Sequence, residues 1–557
     1  MQIIIPMSGF GERFRRAGYN LPKPLIEVEG KPIIAHVIDM FPGETDFIFI
    51  CNRDHLENPN YKMREILKKL SPSSKIFSIE PHKLGPVYAV LKAEKIVNLD
   101  TPTIVNYCDF TCYWDWKHYK DFLLKSKSQG SIPAYKGFHP HSLGKTNYAY
   151  IREKDDFVED IQEKKPYTDN KMNEYASSGT YFFESGKLML KSFNYIVDNN
   201  INLNGEYYVS LAYKYLLKNN NKITIYPLQH FMQWGTPQDL EEYNYWSDLF
   251  KKLIIKDYFS SNVSTGTTII PMAGLGQRFI NEGYKKTKPL IEVSGKPMVI
   301  QAIEDLPNNK EKCFVLRSDM KDFTFLQNEL VDKFPNSKIT SVSSLTEGQA
   351  CSALIGLEHL KKESQINTPI TFGACDNGAL YLKSKIDLLL KDDECDIIVW
   401  GVRGYYNAIN NPQMYGWINE KNGDIKEILV KKPLEPTKTS PIVLGTFTFK
   451  HPDFFTKPLD SLISQQKKVN GEYYIDSCIN EAIKMGYKCK YFEVDSYLCW
   501  GTPNDLKSFE YWQSCFNKWN IHPYSLKLDN KISSNQIPDL EKKFKKIVPE
   551  FINCDGA

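Results

Sequence analysis

Short runs of apolar residues open the chain and return at intervals: QIIIPM at 2–7, DFIFIC at 46–51, KIFSIE at 75–80 and TIVNYC at 103–108. Between them lie longer stretches with helical spacing, such as PIIAHVIDMF and GPVYAVLKAEKIV. Runs without strict alternation predict strands buried on both faces, and their alternation with helices predicts an α/β fold with a mostly parallel sheet. Ligands of such sheets bind beyond the carboxyl ends of the strands. The loops after QIIIPM and TIVNYC end there, so their residues carry most weight.

The same pattern occurs twice. Residues 4–32, IIPMSGFGERFRRAGYNLPKPLIEVEGKP, return at 269–297 as IIPMAGLGQRFINEGYKKTKPLIEVSGKP. Asn204-Gly205-Glu206-Tyr207-Tyr208 returns as Asn470-Gly471-Glu472-Tyr473-Tyr474, and Trp234-Gly235-Thr236-Pro237 as Trp500-Gly501-Thr502-Pro503. Repeats of this length are whole domains, since solenoid periods run to roughly 20–50 residues. The expected layout is a first domain over 1–250, a polar linker over 251–266 around Ser260–Gly266, a second domain over 267–519, and a Lys-rich helical tail over 520–557 packed on one domain.

Composition narrows the class. The 557 residues are 42% hydrophobic and 25% charged, with 70 Lys+Arg against 67 Asp+Glu. That balance gives no support for a nucleic-acid or membrane-surface protein. No apolar stretch reaches the roughly 18–20 residues of a membrane span, and the N-terminus has no signal-peptide pattern. The 12 cysteines include no CxxC pair, so reduced thiols in a cytoplasmic chain are expected rather than a zinc site or a disulfide framework.

The chemistry concentrates in the loops. Met7-Ser8-Gly9-Phe10-Gly11-Glu12-Arg13 and Met272-Ala273-Gly274-Leu275-Gly276-Gln277-Arg278 each place two glycines directly after a strand, where backbone amides can face an anion. Neither loop is GxGxxG, and no P-loop Lys-Ser/Thr follows. Two cations, Arg13 with Lys23 and Arg278 with Lys288, suit a triphosphate whose charge must be neutralised. Asp109 and Asp376 end the strands in NYCD and GACD, a placement that suits Mg²⁺, which takes one or two carboxylates plus phosphate oxygens; helix capping is the alternative.

GxGxR, then PKPL, then GKP resembles the sugar-phosphate nucleotidyltransferases, the nucleoside-diphosphate-sugar pyrophosphorylases, over nearly all of both copies. The resemblance implies two tandem Rossmann-like nucleotidyltransferase domains, each a mostly parallel mixed sheet flanked by helices. It implies a nucleoside triphosphate and a phosphate monoester as substrates, and Mg²⁺ on Asp109 and Asp376. It also implies release of pyrophosphate, for surface or capsule polysaccharide precursors. In the family a Gln, then a Gly five residues on, meets the base; Glu80 and Gly85 stand there, and Ser343 and Gly348 in the second copy. A carboxylate only accepts hydrogen bonds, so Glu80 favours an amino-bearing base edge and CTP. On the acceptor side, Glu163-Lys164 resembles the family's Glu-Lys element, of which Val430-Lys431 keeps only the Lys. Gly179 and Gly445 match a glycine strand that lets a sugar approach. Glu206 and Glu472 are candidate acceptor contacts or helix caps.

One departure is that Gln233 and Cys499 replace an Asp that is a second metal ligand in many relatives, so another carboxylate such as Asp495 could substitute. Two alternatives remain. A regulatory second copy is suggested by Thr287, Val430 and Ser343, and a metal-dependent glycosyltransferase is the other, although no Asp-x-Asp is present.

Overall fold

The computed structural model describes residues 1–228, 230–259, 264–362 and 365–547. They divide into two compact units. The first holds Met1–Asn244, Asn517–His522 and the C-terminal residues from Glu541; the second holds Tyr245–Phe516 and Pro523–Leu540.

In the first unit, Thr103–Asn106, Gln2–Met7, Asp46–Asn52 and Lys75–Ile79 lie side by side and parallel. Gln2–Met7 is buried at every position. Ile3, Ile4 and Ile5 are fully buried, each worth about 1.5–3 kcal/mol of transfer free energy. The sheet then turns mixed. Thr180–Phe183 runs antiparallel to Thr103–Asn106 and joins a second group, Gly130–Tyr135, Ala149–Lys154, Phe157–Glu163, Tyr175–Ser177 and Ile223–Pro227. Most pairings in that group are antiparallel. Short hairpin connections allow such pairing, whereas parallel neighbours need helical crossovers.

The second unit repeats this plan. Ile370–Phe372, Ser264–Met272, Asn309–Arg317 and Ser337–Val342 form its parallel half. Ile442–Phe449 makes the antiparallel switch. A small two-stranded antiparallel sheet stands beside each large one: Phe110–Tyr113 with His230–Gln233, and Asn377–Leu380 with Ser496–Cys499.

The connection between the copies is shorter than composition suggests. The helix Pro237–Leu253 runs into it because its apolar face continues to the buried Leu253, and a strand begins at Ser264. Ser260–Val263, the centre of the expected linker, lie outside the described residues, as do residues 548–557 of the tail. The tail forms a helix over Ile537–Ile547 that buries Leu540 and Phe544. The eleven cysteines among the described residues are free thiols. Among those residues, no helix is long and apolar enough to cross a membrane.

Candidate functional site

In the first copy the loop after Gln2–Met7 turns through Gly11, whose φ of 63° is a left-handed conformation that glycine adopts without strain. The turn opens onto a cleft of about 550 Å³ at the carboxyl end of the parallel strands. Met7, Ser8, Gly9, Gly11, Arg13, Lys23, Gly85, Asp109 and Glu206 all line it. A Cβ on Gly9 would meet nothing within 4 Å, so the space above that residue is open to a ligand.

Lys23 Nζ donates to Asp109 Oδ2 at 2.8 Å, with both side chains about a quarter exposed. Burial pushes the Lys23 pKa down, but the Asp109 carboxylate, with help from Cys108, more than reverses this and leaves it raised. Lys23 therefore stays a cation, and Asp109 keeps it compensated in a half-dry site. In the second copy Lys288 pairs with Asp376 in the same way, and its pKa is raised against burial by Asp376 and Cys375.

Neither aspartate caps a helix. Each is followed by a strand of the small two-stranded sheet, and its carbonyl accepts from the tryptophan of the WGTP element: Trp234 N to Asp109 O at 2.8 Å, Trp500 N to Asp376 O at 2.9 Å. Both tryptophans are core residues. The glycine after each makes room for the carboxylate, since a Cβ on Gly235 would lie 3.0 Å from Asp109 Oδ2, and one on Gly501 3.2 Å from Asp376 Oδ2.

Gln233 and Cys499 sit beside these aspartates, and each contacts a second acid. Gln233 Nε2 donates to Asp239 Oδ2 at 2.9 Å, and Cys499 Sγ lies 3.7 Å from Asp505 Oδ2. Asp239 and Asp505 close capping boxes with Thr236 and Thr502. Burial raises both pKa values, and the Asp109 charge adds a smaller push on Asp239. Asp495, the substitute suggested by sequence, does not face Asp376. It lies at the far end of the two-stranded sheet beside Leu380, ion-paired with Lys385 at 2.8 Å.

Among the described residues no group of three or more His, Cys, Asp or Glu side chains could hold a metal ion. The residues present do fit a Mg²⁺ shared with substrate: one carboxylate in each copy beside a glycine that leaves it room, with phosphates and water completing the shell.

The base-side residues fall differently. Glu80 is exposed, pairs with Arg53 and does not line the cleft, so the amino-edge argument for CTP lacks its contact. Ser343 is exposed as well. His82 takes the cleft position instead: its Nε2 is 3.3 Å from Ser8 Oγ, and its Nδ1 accepts from Leu84 N at 3.1 Å. Burial and then Lys92 lower its pKa. The accepting Nδ1 leaves Nε2 as the donor nitrogen of a neutral ring. Sequence reasoning passed over His82, and its only signal was its place between the glycine loop and Gly85.

Gly85 and Gly348 serve close backbone packing. A Cβ on Gly85 would lie 2.7 Å from Tyr207 O, and one on Gly348 2.5 Å from Tyr473 O. They clamp the NGEYY element over the cleft, where Val87 N and Ala350 N donate to those same carbonyls.

Of the acceptor residues, only Glu206 lines the cleft; Glu163, Lys164 and Gly179 do not. Glu206 is not a helix cap. It accepts from Tyr208 Oη at 2.7 Å, and Tyr208 Oη in turn accepts from Lys164 Nζ at 2.6 Å. Lys164 and Lys431 share a left-handed backbone, with φ of 57° and 56°, so the two copies hold this lysine in the same conformation. Gly179 packs on the Tyr107 ring, and Gly445 lies near Asn377. Glu472 repeats the isolated bridge of Glu206.

A glycine loop, a Lys–Asp pair and an exposed arginine meet at the end of a mixed α/β sheet, an arrangement with the charge and open backbone that suit an anionic ligand. Residues 2–249 match the sequence model of the family described as nucleotidyl transferase. The chain is 31% identical to the mannose-1-phosphate guanyltransferase of Aspergillus oryzae over 150 residues, which are 26% of this chain and 40% of that protein. To mannose-1-phosphate guanyltransferase 2 of Candida glabrata it is 30% identical over 186 residues, 31% of this chain and 48% of that protein. The chain thus spans less than half the length of these relatives. A solved structure of the nucleoside-diphosphate-sugar pyrophosphorylase from Vibrio cholerae RC9 is similar at 18% identity and a TM-score of 0.37, over 43% of this chain and 98% of that one. The inositol-1-phosphate CTP transferase from T. maritima is similar at 13% identity and a TM-score of 0.35, over 49% and 99%.

Proposed function

We propose that each copy joins a nucleoside triphosphate to a sugar 1-phosphate or related phosphate monoester and releases pyrophosphate. The observation that carries this reading is the Lys–Asp pair beneath the glycine loop, present in both copies. The mannose-1-phosphate guanyltransferases that the chain resembles support the substrate class.

An acceptor phosphate oxygen attacks the α-phosphorus in line, the bond to the β-phosphate oxygen breaks, and pyrophosphate leaves. Little covalent chemistry is asked of the protein, so positioning and charge carry the rate. The loop amides of 8–11 cradle the triphosphate, and Arg13 neutralises the leaving pyrophosphate. Lys23, released from Asp109 as ligand enters, stabilises charge at the α-phosphate. Lys164, fixed by Tyr208, orients the acceptor phosphate. Asp109 and Asp376 would hold Mg²⁺, which as a Lewis acid polarises the phosphoryl oxygens. The activated sugar produced is of the kind used for surface polysaccharide.

The test is pyrophosphate release with the four triphosphates and a panel of phosphate esters, in the parent chain, Asp109→Asn and Asp376→Asn. Each variant should lose one activity and keep the other. Release unchanged in both variants would refute the assignment.

A further inference from the structure

The second copy lacks the Glu of the Glu-Lys element: Val430 stands where Glu163 stands in the first. In the first copy Glu163 lies opposite Ala149 in the strand pair, and Ser210, on the first turn of the helix Val209–Lys218, donates to Glu163 Oε2 at 2.6 Å. The corresponding second-copy residues have all changed. Ala149 becomes Gly416, and Ser210 becomes Asp476, on the first turn of the helix Ile475–Lys484.

These three differences fit one another. A Cβ on Gly416 would lie 2.5 Å from Asp476 Oδ2, so the Asp476 carboxylate rests on the face of Gly416 and needs that residue to be glycine. In the first copy a carboxylate reaches this spot from the strand, beside an alanine and a small hydroxyl. In the second it reaches the spot from the helix, and the strand position is apolar.

The neighbouring lysine is kept with a different contact: Lys164 Nζ donates to Tyr208 Oη, whereas Lys431 Nζ donates to the Met414 carbonyl. Lys431 keeps the left-handed backbone of Lys164, and its ammonium is held below the ordinary lysine value by desolvation and by Arg278, against the opposing pull of Asp476. Burial raises the Asp476 pKa to about 6, with Lys431 working the other way. A first-turn position alone favours an aspartate, but it accounts for neither the glycine at 416 nor the loss of the carboxylate at 430.

We propose that Asp476 is the acceptor-binding carboxylate of the second copy, replacing Glu163 from the opposite side of the site and receiving hydroxyl groups of a sugar phosphate whose phosphate meets Lys431. Ionised carboxylates accept hydrogen bonds from vicinal hydroxyls, and the shorter aspartate on another element presents its oxygens in a different direction. The two copies therefore differ in the acceptor they prefer. This inference rests on the reading of the second copy as a nucleotidyltransferase site.

The test uses the full chain carrying Lys164→Ala, which removes the phosphate contact of the first acceptor site. Mannose 1-phosphate and glucose 1-phosphate are titrated calorimetrically in the presence of each triphosphate, and pyrophosphate release is followed separately. Asp476→Asn and Asp476→Ser should each weaken sugar-phosphate binding about 10–100-fold, the loss expected for hydrogen bonds to a charged group, while triphosphate binding changes less than about 2-fold. Gly416→Ala/Val430→Glu/Asp476→Ser, which restores the first-copy arrangement, should recover binding to within about 5-fold of the parent and shift its preference toward that of the first copy. The proposal is overturned if Asp476→Asn binds both sugars like the parent, if the triple variant binds no better than Asp476→Ser, or if the parent binds neither sugar. Binding that depends on Asp476 without pyrophosphate release from any triphosphate upholds the carboxylate and rejects the transfer reading instead.

Discussion

The two copies agree where the triphosphate would lie and diverge where the acceptor would. On the first side, Lys23–Asp109 and Lys288–Asp376 pair alike, and the Trp234 and Trp500 amides hold the two aspartates at 2.8 and 2.9 Å through their carbonyls. Gly11 and Gly276 turn at φ of 63° and 67°. On the second side, Glu163, Ala149 and Ser210 stand against Val430, Gly416 and Asp476. In the proposed reaction the shared half would handle a group common to every nucleoside triphosphate, so its charges would have to fall in the same places. The divergent half faces a group that can vary, and a carboxylate can change its element of origin provided the space beside it changes too.

The largest effects should come from the shared half. Lys23→Met and Lys288→Met should each cut pyrophosphate release at their own copy by about 10²–10⁴-fold and leave the other copy intact. Asp109→Asn also strips a half-buried ammonium of its partner, so it should lower the melting temperature. Asp109→Asn/Lys23→Met, which orphans no charge, should melt above the Asp109→Asn single variant in calorimetry.

Next come the clamping glycines. Gly85→Ala and Gly348→Ala force a Cβ into the backbone of Tyr207 and Tyr473, at positions with φ of 85° and 127°. Each should cost about 1–3 kcal/mol in urea unfolding, with Gly348→Ala the worse because its clearance is smaller.

A pH series separates the acceptor halves. The ionised Asp476 carboxylate, facing Lys431 with Glu472 and Arg278 nearby, is lost as pH falls through about 6. The acceptor KM of the second copy should rise below that pH, and Asp476→Asn should flatten the profile. The stability sign is opposite. The native Asp476 pKa lies above the ordinary 3.8, so the native state binds this proton more tightly than the unfolded one. Its contribution to stability therefore falls as pH rises from about 4 to about 6. The difference between parent and Asp476→Asn in melts across that window measures it.

The smallest effect is expected at Glu80. Its pair with Arg53 lies on the surface, so Glu80→Gln should shift the CTP-to-UTP preference by less than about 2-fold in competition assays.

These contrasts follow what sequence could show. The glycine loops, the two lysines and the strand-end aspartates were legible because turn geometry and phosphate charge restrict residue type at fixed spacing, and a second copy repeated them. Glu80 was misplaced because proximity in sequence to a base-contacting segment does not state which way a side chain leaves a strand end; His82, two residues on, turns inward. The antiparallel half of each sheet was hidden because its strands give the same short apolar runs as parallel ones. Asp476 could not be read as a counterpart of Glu163, since the exchange crosses three elements distant in sequence and becomes visible only where Gly416 leaves room for it.

The central claim is that two sites with one triphosphate apparatus serve different acceptors. The most direct measurement is product identification by mass spectrometry from two chains, Arg13→Ala/Lys23→Ala and Arg278→Ala/Lys288→Ala, each given the four triphosphates and a mixture of sugar phosphates. The account predicts that each chain forms a nucleotide sugar and that the two products differ in the sugar. Loss of all product in one chain, or the same sugar transferred by both, would contradict it.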